Sequence, residues 1–207
     1  MERWEWLIEP QIGIFQDDAL GCFNEDAIAL VHFATLHSHD RVLDLGTGNG
    51  VLCLYAQALY GGDYVGIDQD AAQIALAVRS AAQNGQVIDF RVLSAADAPA
   101  ALGHGNFTRV LMNPPYFTDG DCGAHAKARH AAPDLLATWC NFAFLLLKNG
   151  GTLTMCYPSN RLAESFRALD AARFAPKRMR LLHRNGVARL ALIEAKKLGG
   201  DGLVIEL

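Results

Sequence analysis

Apolar residues in this chain gather in short runs, separated by longer segments with helical spacing. The runs at Arg41–Leu45, Tyr64–Asp68, Asp89–Leu93, Arg109–Met112 and Thr152–Cys156 predict strands. Between them, Val51–Leu59, Ala71–Gln83 and Asp134–Leu147 predict helices, and Ser159 is placed to cap another that reaches Ala172. Strands this short, alternating with helices, predict a parallel sheet covered on both faces. The pattern changes at the C-terminal end. There Lys177–His183 and Ala188–Ala195 flank Asn185-Gly186, a dipeptide suited to a tight hairpin. The expected fold is α/β, a doubly wound, mostly parallel sheet with a C-terminal antiparallel hairpin. Before the first of these strands, Asn24 suits a helix N-cap and Glu25 and Asp26 suit the positive end of a helix running to Leu36. Residues 1–40 therefore read as a helical lead-in, and 41–207 as the core of a single domain.

Composition agrees with one domain, since 207 residues that are 51% hydrophobic and 19% charged can build one sizeable core. Lys and Arg number 18 against 22 Asp and Glu, a net charge of −4. That balance disfavours a protein that coats nucleic acid over its whole surface, but it leaves room for a local basic face. The cysteines (Cys22, Cys53, Cys122, Cys140 and Cys156) are scattered and never form a Cys-x-x-Cys pair, so they read as free thiols of a reducing compartment. The charged N-terminus carries no secretory pattern, and no apolar run is long enough to cross a bilayer. A cytoplasmic location is expected. Cys122, His125 and His130 fit no standard zinc spacing, and His32, His37 and His39 read as a helix end and its connection, so no metal is expected.

Candidate chemistry enters at the strand ends. Val42-Leu-Asp44-Leu-Gly46-Thr47-Gly48-Asn-Gly50 joins a strand to a helix, where glycines let backbone approach a ligand closely. A dinucleotide site would space its glycines as Gly-x-Gly-x-x-Gly. Here the third glycine comes one residue early, and Asp44 stands just before the first. A carboxylate there repels a pyrophosphate and suits a cationic amine. S-adenosylmethionine carries an α-amino group and a sulfonium but no phosphate, so it is the expected cofactor. Asp68 ends the next strand and can accept hydrogen bonds from both ribose hydroxyls. Asp97 can take the adenine amino group, although Ala95 or Ala96 can fill that place through backbone contacts.

The run Arg109–Met112 delivers Asn113-Pro114-Pro115-Tyr116-Phe117 to the same edge. Two prolines can serve merely to stop a strand. They leave unexplained an amide before them and two aromatics after them, where a substrate must meet the cofactor. An exocyclic adenine amine or a carboxamide nitrogen is a poor nucleophile, because its lone pair is delocalised. The Asn113 side-chain carbonyl and the Pro114 backbone carbonyl can each accept one N–H, which localises that pair and aims it. Diproline holds both acceptors rigid. Tyr116 can stack on a planar substrate, with Phe117 beside it.

These residues resemble the Asn/Asp-Pro-Pro-Tyr/Phe methyltransferases, which have the Rossmann-like class I fold and act on adenine N6 or on protein glutamine N5. A closer resemblance covers nearly the whole chain. Gly21–Ala27, Asp44–Gly48, Asn113–Phe117, Ala128-Arg129-His130 and Pro176–Arg180 recur in this order in the bacterial valine-tRNA adenine-N6 methyltransferase family, which modifies the adenine beside the anticodon. The resemblance implies Asn113 and Tyr116 at the substrate and Asp44, Gly46 and Asp68 at the cofactor. Where that family usually has an acid after Ala-Arg-His, this chain has Ala131, and its last strand and tail look short.

Charge patterning bears on the partner. Arg173, Lys177, Arg178, Arg180, Arg184, Arg189, Lys196 and Lys197 crowd one stretch against Glu194, and Lys127, Arg129 and His130 follow the reactive motif. Such clusters can contact tRNA phosphates around unstacked anticodon-loop bases, with Lys127, Arg129, Lys177, Arg178 and Arg180 as the expected contacts. The same charges can instead be solvated strand edges. Other readings are a glutamine-N5 methyltransferase, a small-molecule methyltransferase and a non-catalytic cofactor-binding module. The first typically carries a helical N-terminal domain, for which the segment before Arg41 leaves no room.

Overall fold

A computed structural model describes residues 1–7, 11–20, 25–114 and 135–206. The chain opens with a two-stranded antiparallel hairpin, β1 (Glu2–Leu7) and β2 (Ile12–Asp17), followed by α1 (Glu25–Phe33). The core then alternates through β3 (Arg41–Leu45), α2 (Val51–Tyr60), β4 (Asp63–Asp68), α3 (Ala71–Asn84), β5 (Asp89–Val92), α4 (Ala98–Leu102) and β6 (Phe107–Met112). It continues with α5 (Leu135–Leu146), β7 (Leu147–Pro158), α6 (Leu162–Ala171), β8 (Phe174–Arg184), β9 (Val187–Lys197) and β10 (Val204–Glu206). The 8-stranded sheet has the order β10-β8-β9-β7-β6-β3-β4-β5, and β9 runs antiparallel to both its neighbours.

Alternation along each strand feeds two cores. Leu43, Leu45, Val110, Met112, Leu153 and Met155 face a layer containing Leu136, Cys140 and Leu169 from α5 and α6. Val42, Leu111, Cys156 and Leu192 face the opposite layer, with Leu30 and Phe33 of α1 and Leu52 and Leu54 of α2. Adjacent residues of one strand are thus buried on opposite faces, as a sheet covered on both sides requires. Cys53 and Cys140 are buried free thiols, as expected of unpaired cysteines, and Cys156 is buried too.

The expected helical lead-in over residues 1–40 needs correction, because a hairpin precedes the helix. Its signal is a period of two: Ile12 and Ile14 are buried against the α1–α2 core, whereas Trp6 is exposed. Trp4 lies flat over Gly13, where a Cβ would meet the ring at 1.9 Å. Asn84 of α3 donates to the Gly13 carbonyl and accepts its N–H, and the Ser80 hydroxyl accepts from Phe15 N–H. The expected cap at Ser159 also fails. Ser159 opens a short 3-10 turn, and its hydroxyl donates to the Ala188 carbonyl (2.8 Å). Asn24, the other expected cap, lies outside the described residues.

One buried carboxylate ties the N-terminal helix to the C-terminal strands. Glu194 accepts from the Thr35 amide (2.8 Å) and hydroxyl (3.0 Å), and from Arg178 (3.4 Å). Arg178 also donates to Glu206 (2.6 Å), and its guanidinium stacks over Phe33 at 4.7 Å. Replacing Glu194 with Ala leaves those donors facing a dry interior. Glu194→Ala is expected to lower the unfolding free energy by about 3–5 kcal/mol in urea titration; a loss under about 1 kcal/mol would mean that water replaces the carboxylate.

Candidate active site at the carboxyl edge of the sheet

The parallel strands β3, β4 and β6 all end at one edge, which is where a doubly wound sheet presents its loops to a ligand. Asp44 of β3 is paired with Gly66 of β4 and Leu111 of β6. Asp68 and Asn113 each lie two residues further toward that edge. With strands about 4.8 Å apart, the three side chains start within roughly 10 Å of one another.

The turn after β3 has a shape that only glycine accepts comfortably. Gly46, Gly48 and Gly50 have φ of 83°, 54° and 83°. A Cβ on Gly46 would meet the Trp139 ring at 2.9 Å, and one on Gly50 would meet Phe90 at 2.7 Å. Gly48 has open space on that side. The donors of the turn are consumed internally: Gly46 and Thr47 donate to the Ile67 carbonyl, Gly50 to the Thr47 carbonyl, and Gly48 to the Asp68 carboxylate (2.9 Å). Few N–H groups are left for a pyrophosphate, so the turn is unlike a phosphate cradle.

Asp44 is fully buried. Its Oδ2 accepts from the Thr47 hydroxyl (2.6 Å), with the Cys53 thiol at 3.9 Å. Its Oδ1 is buried with no hydrogen-bond partner among the described residues. Burial pushes its carboxyl up to about 7, with the Thr47 hydrogen bond opposing and the Asp68 charge adding to the rise. An orphaned carboxylate oxygen in a dry site is made for a cationic donor, such as an α-ammonium. Asp68 is held by Gly48 N–H on one oxygen and Asp70 N–H (2.9 Å) on the other. Each oxygen keeps a lone pair, enough to accept from two vicinal hydroxyls.

At the end of β6, Pro114 is buried and Asn113 is half-buried. The Asn113 Oδ1 is itself buried and without a partner among the described residues. The residues present therefore fit S-adenosylmethionine: Asp44 Oδ1 would suit its amine and Asp68 its ribose, with the buried Asn113 Oδ1 at the same edge.

The other expected site residues divide. Thr47 supports Asp44 and does not face outward. Asp97 is exposed at the start of α4 and accepts from the Ser94 hydroxyl (2.6 Å). Tyr116, Phe117, Lys127, Arg129 and the remainder of 115–134, including Cys122, His125 and His130, lie outside the described residues. Lys177, Arg178 and Arg180, expected as phosphate contacts, are already engaged by the fold. Lys177 donates to the Asp201 carbonyl (2.9 Å), Arg178 pairs with Glu206 and Glu194, and Arg180 pairs with Glu206 (2.6 Å). The acid that neutralises both arginines, Glu206, comes from β10, which the basic run alone does not reveal. Trp139 and Phe90, which shape the glycine turn, and Cys53, which flanks Asp44, were missed; no local signal marks a lone apolar side chain as part of a site.

Two other features lie at the opposite edge. A cavity of about 800 Å³ between α6, the start of β8 and residues 198–203 is remote from Asn113. His37, His39 and Asp40 bring ligand atoms within 4.8 Å of one another, but Asp40 already accepts from Thr108 (2.7 Å), Arg109 (3.2 Å) and the His37 amide (2.9 Å). No described helix is long and apolar enough to cross a membrane.

Class I methyltransferases are built on this sheet, with its reversed strand next to the last parallel ones. A "predicted O-methyltransferase" from Agrobacterium tumefaciens superposes with a TM-score of 0.70 at 22% identity, over 87% of this chain and 84% of that one. TrmN from Thermus thermophilus superposes with a TM-score of 0.66 at 28% identity, over 83% of this chain and 48% of that one. The chain belongs to the methyltransferase-domain family, whose model matches residues 36–187. It is 32% identical over 152 residues to the tRNA1(Val) (adenine(37)-N6)-methyltransferase of Shewanella amazonensis, a match covering 70% of this chain. The matched part spans 65% of that relative's length.

The state of Asp44 makes stability depend on pH. Its folded value, about 7, lies above the ordinary 3.8, so the folded chain favours the protonated form. Stability is complete below about pH 4 and falls as the pH rises toward 7, where the unfolded chain has already released the proton. Relative to Asp44→Asn, the wild type is expected to lose on the order of 3–4 kcal/mol across that window. Denaturant titrations of both proteins at several pH values check this; parallel curves would place the titration elsewhere.

Proposed function

We propose that the chain is an S-adenosylmethionine-dependent methyltransferase that methylates the N6 amine of an adenine in tRNA. The observation that carries the reading is the Asn113 Oδ1 at the end of β6, buried and without a partner among the described residues. An amide carbonyl kept dry and unmatched costs stability, and that cost has a purpose if a substrate N–H completes it.

S-adenosylmethionine supplies, when bound, an electrophilic methyl group on a sulfonium. Asp44 Oδ1 would hold its amine and Asp68 its ribose. Asn113 Oδ1 would accept one N–H of the incoming amine, and the Pro114 carbonyl the other. Accepting both turns the nitrogen lone pair out of the ring plane and toward the cofactor. The acceptors are fixed before the substrate arrives, so reorganisation costs little. Tyr116 is assigned the stacking role against the base.

The choice of adenine in tRNA rests on the names of relatives such as those of Shewanella amazonensis and Actinobacillus succinogenes, both tRNA1(Val) (adenine(37)-N6)-methyltransferases. It carries with it the anticodon loop as the target and the cytoplasm as the location.

Purified protein incubated with S-adenosylmethionine and unmodified bulk tRNA should yield N6-methyladenosine on digestion and mass spectrometry. Asn113→Ala is expected to reduce the yield by at least about 100-fold while calorimetric cofactor affinity stays within a few-fold. Asp44→Asn should do the reverse, weakening cofactor binding roughly 10-fold or more. Methylation of a glutamine-containing peptide with no product on tRNA would move the assignment to glutamine N5.

A further inference from the structure

The sheet raises one basic surface beside Asn113. β7 continues past the end of β6: Met155 pairs with Met112, and Pro158 pairs with Leu190 of β9. From there β8 and β9 climb on to their turn, where Arg184 pairs with Val187. At about 3.3 Å per residue the turn stands roughly 20 Å beyond the level of Met112, and two strand spacings place β9 about 10 Å to the side. Arg189 therefore starts within about 15 Å of Asn113, facing the same edge. The Ser159 hydroxyl, bonded to the Ala188 carbonyl at 2.8 Å, ties this projection to the end of β7.

The charges at that height are unspent. His183, Arg184 and Arg189 are exposed, and neither arginine lies within ion-pair distance of a carboxylate among the described residues. Arg184 attracts Asp26 at the start of α1, whose carboxyl is nonetheless held up by burial and by Glu25. Below the projection, Lys177, Arg178 and Arg180 of the same strand are bound to internal partners. Among the described residues, cations of β8 and β9 without an ion pair thus occur beyond the level of Asn113, where the backbone of a polyanion presenting one base to Asn113 would pass.

We propose that the β8–β9 turn is the RNA-binding element of this site, with Arg184 and Arg189 gripping backbone phosphates that flank the target base. The inference rests on the reading of an RNA substrate given above. Both arginines are exposed and without described ion pairs, so neutralising them spares the core. Lys148 and Lys196 are also exposed, but they lie at the opposite edge of the sheet, where Lys196 pairs with Thr152 at the start of the climb.

The test is anisotropy titration of labelled, unmodified bulk tRNA at several salt concentrations from about 50 to 200 mM. R184Q/R189Q should raise Kd at least about 10-fold near 100 mM salt and reduce the slope of log affinity against log salt by about 2. Its affinity for S-adenosylmethionine, measured by calorimetry, should match the wild type. K148Q/K196Q makes the same change in net charge and should stay within about twofold of wild type. Equal losses in the two double variants, or wild-type affinity in R184Q/R189Q, overturn the assignment to the turn. A wild-type protein that binds S-adenosylmethionine but not tRNA overturns the RNA reading, and the assignment with it.

Discussion

A buried carboxylate with one oxygen left over sets the terms at the catalytic edge. Asp44 lies on a central strand, walled by β4 and β6, and its only close described donor is the Thr47 hydroxyl. In so dry a place an anion is costly, and the group responds by holding its proton up to about pH 7. A bound ammonium removes that penalty, and a phosphate would worsen it. The preference for a cationic ligand is thus built into the depth at which the sequence places one side chain. Asp68 adds a second negative group at the same edge, and the turn's own N–H groups are already committed to Ile67, Thr47 and Asp68. The described N–H groups of the turn that would serve a pyrophosphate are thus used elsewhere.

Charge is deployed by height along the strands. At mid-strand, arginines meet Glu194 and Glu206 and bind α1 to the C-terminal hairpin and β10. Truncating one side of such a partly buried network costs far more than a surface pair would, because the remaining partner stays desolvated. At the turn the same residue type has no such partner among the described residues and is exposed. Sequence spacing cannot separate these two uses. Arg178 and Arg184 differ only in the register of β8 and in what lies across from each.

This explains which parts of the molecule were legible beforehand. The alternation of strands and helices, the C-terminal hairpin at Asn185-Gly186 and the positions of Asp44, Asp68 and Asn113 at one edge follow from periodicity and from the geometry of parallel sheets. What failed depended on long-range contact. The N-terminal hairpin was read as helical lead-in because Trp4, Trp6, Ile12 and Ile14 alternate over runs too short to outweigh the helix that follows, and their partner, α3, lies some seventy residues away in sequence (Gly13 to Asn84 is a separation of 71). Ser159 looked like a cap because its residue type suits one, yet the neighbouring strand offered its hydroxyl a better acceptor at Ala188. The basic run seemed to hold Glu194 as its one acid because Glu206 arrives from a strand beyond it.

The glycine turn shows how a costly feature can persist. Trp139 of α5 presses on Gly46 from one layer, and Phe90 of β5 fills the space beside Gly50 and Gly66 from another. These aromatic contacts leave the turn little freedom, since either ring must move before the backbone can. A looser turn would admit water to Asp44 Oδ1, which would relieve the unpaired carboxylate and erase its preference for a cation. Close packing around the turn therefore keeps Asp44 Oδ1 in place and without a partner among the described residues, so that a cationic ligand, and not solvent, can complete its hydrogen bonding.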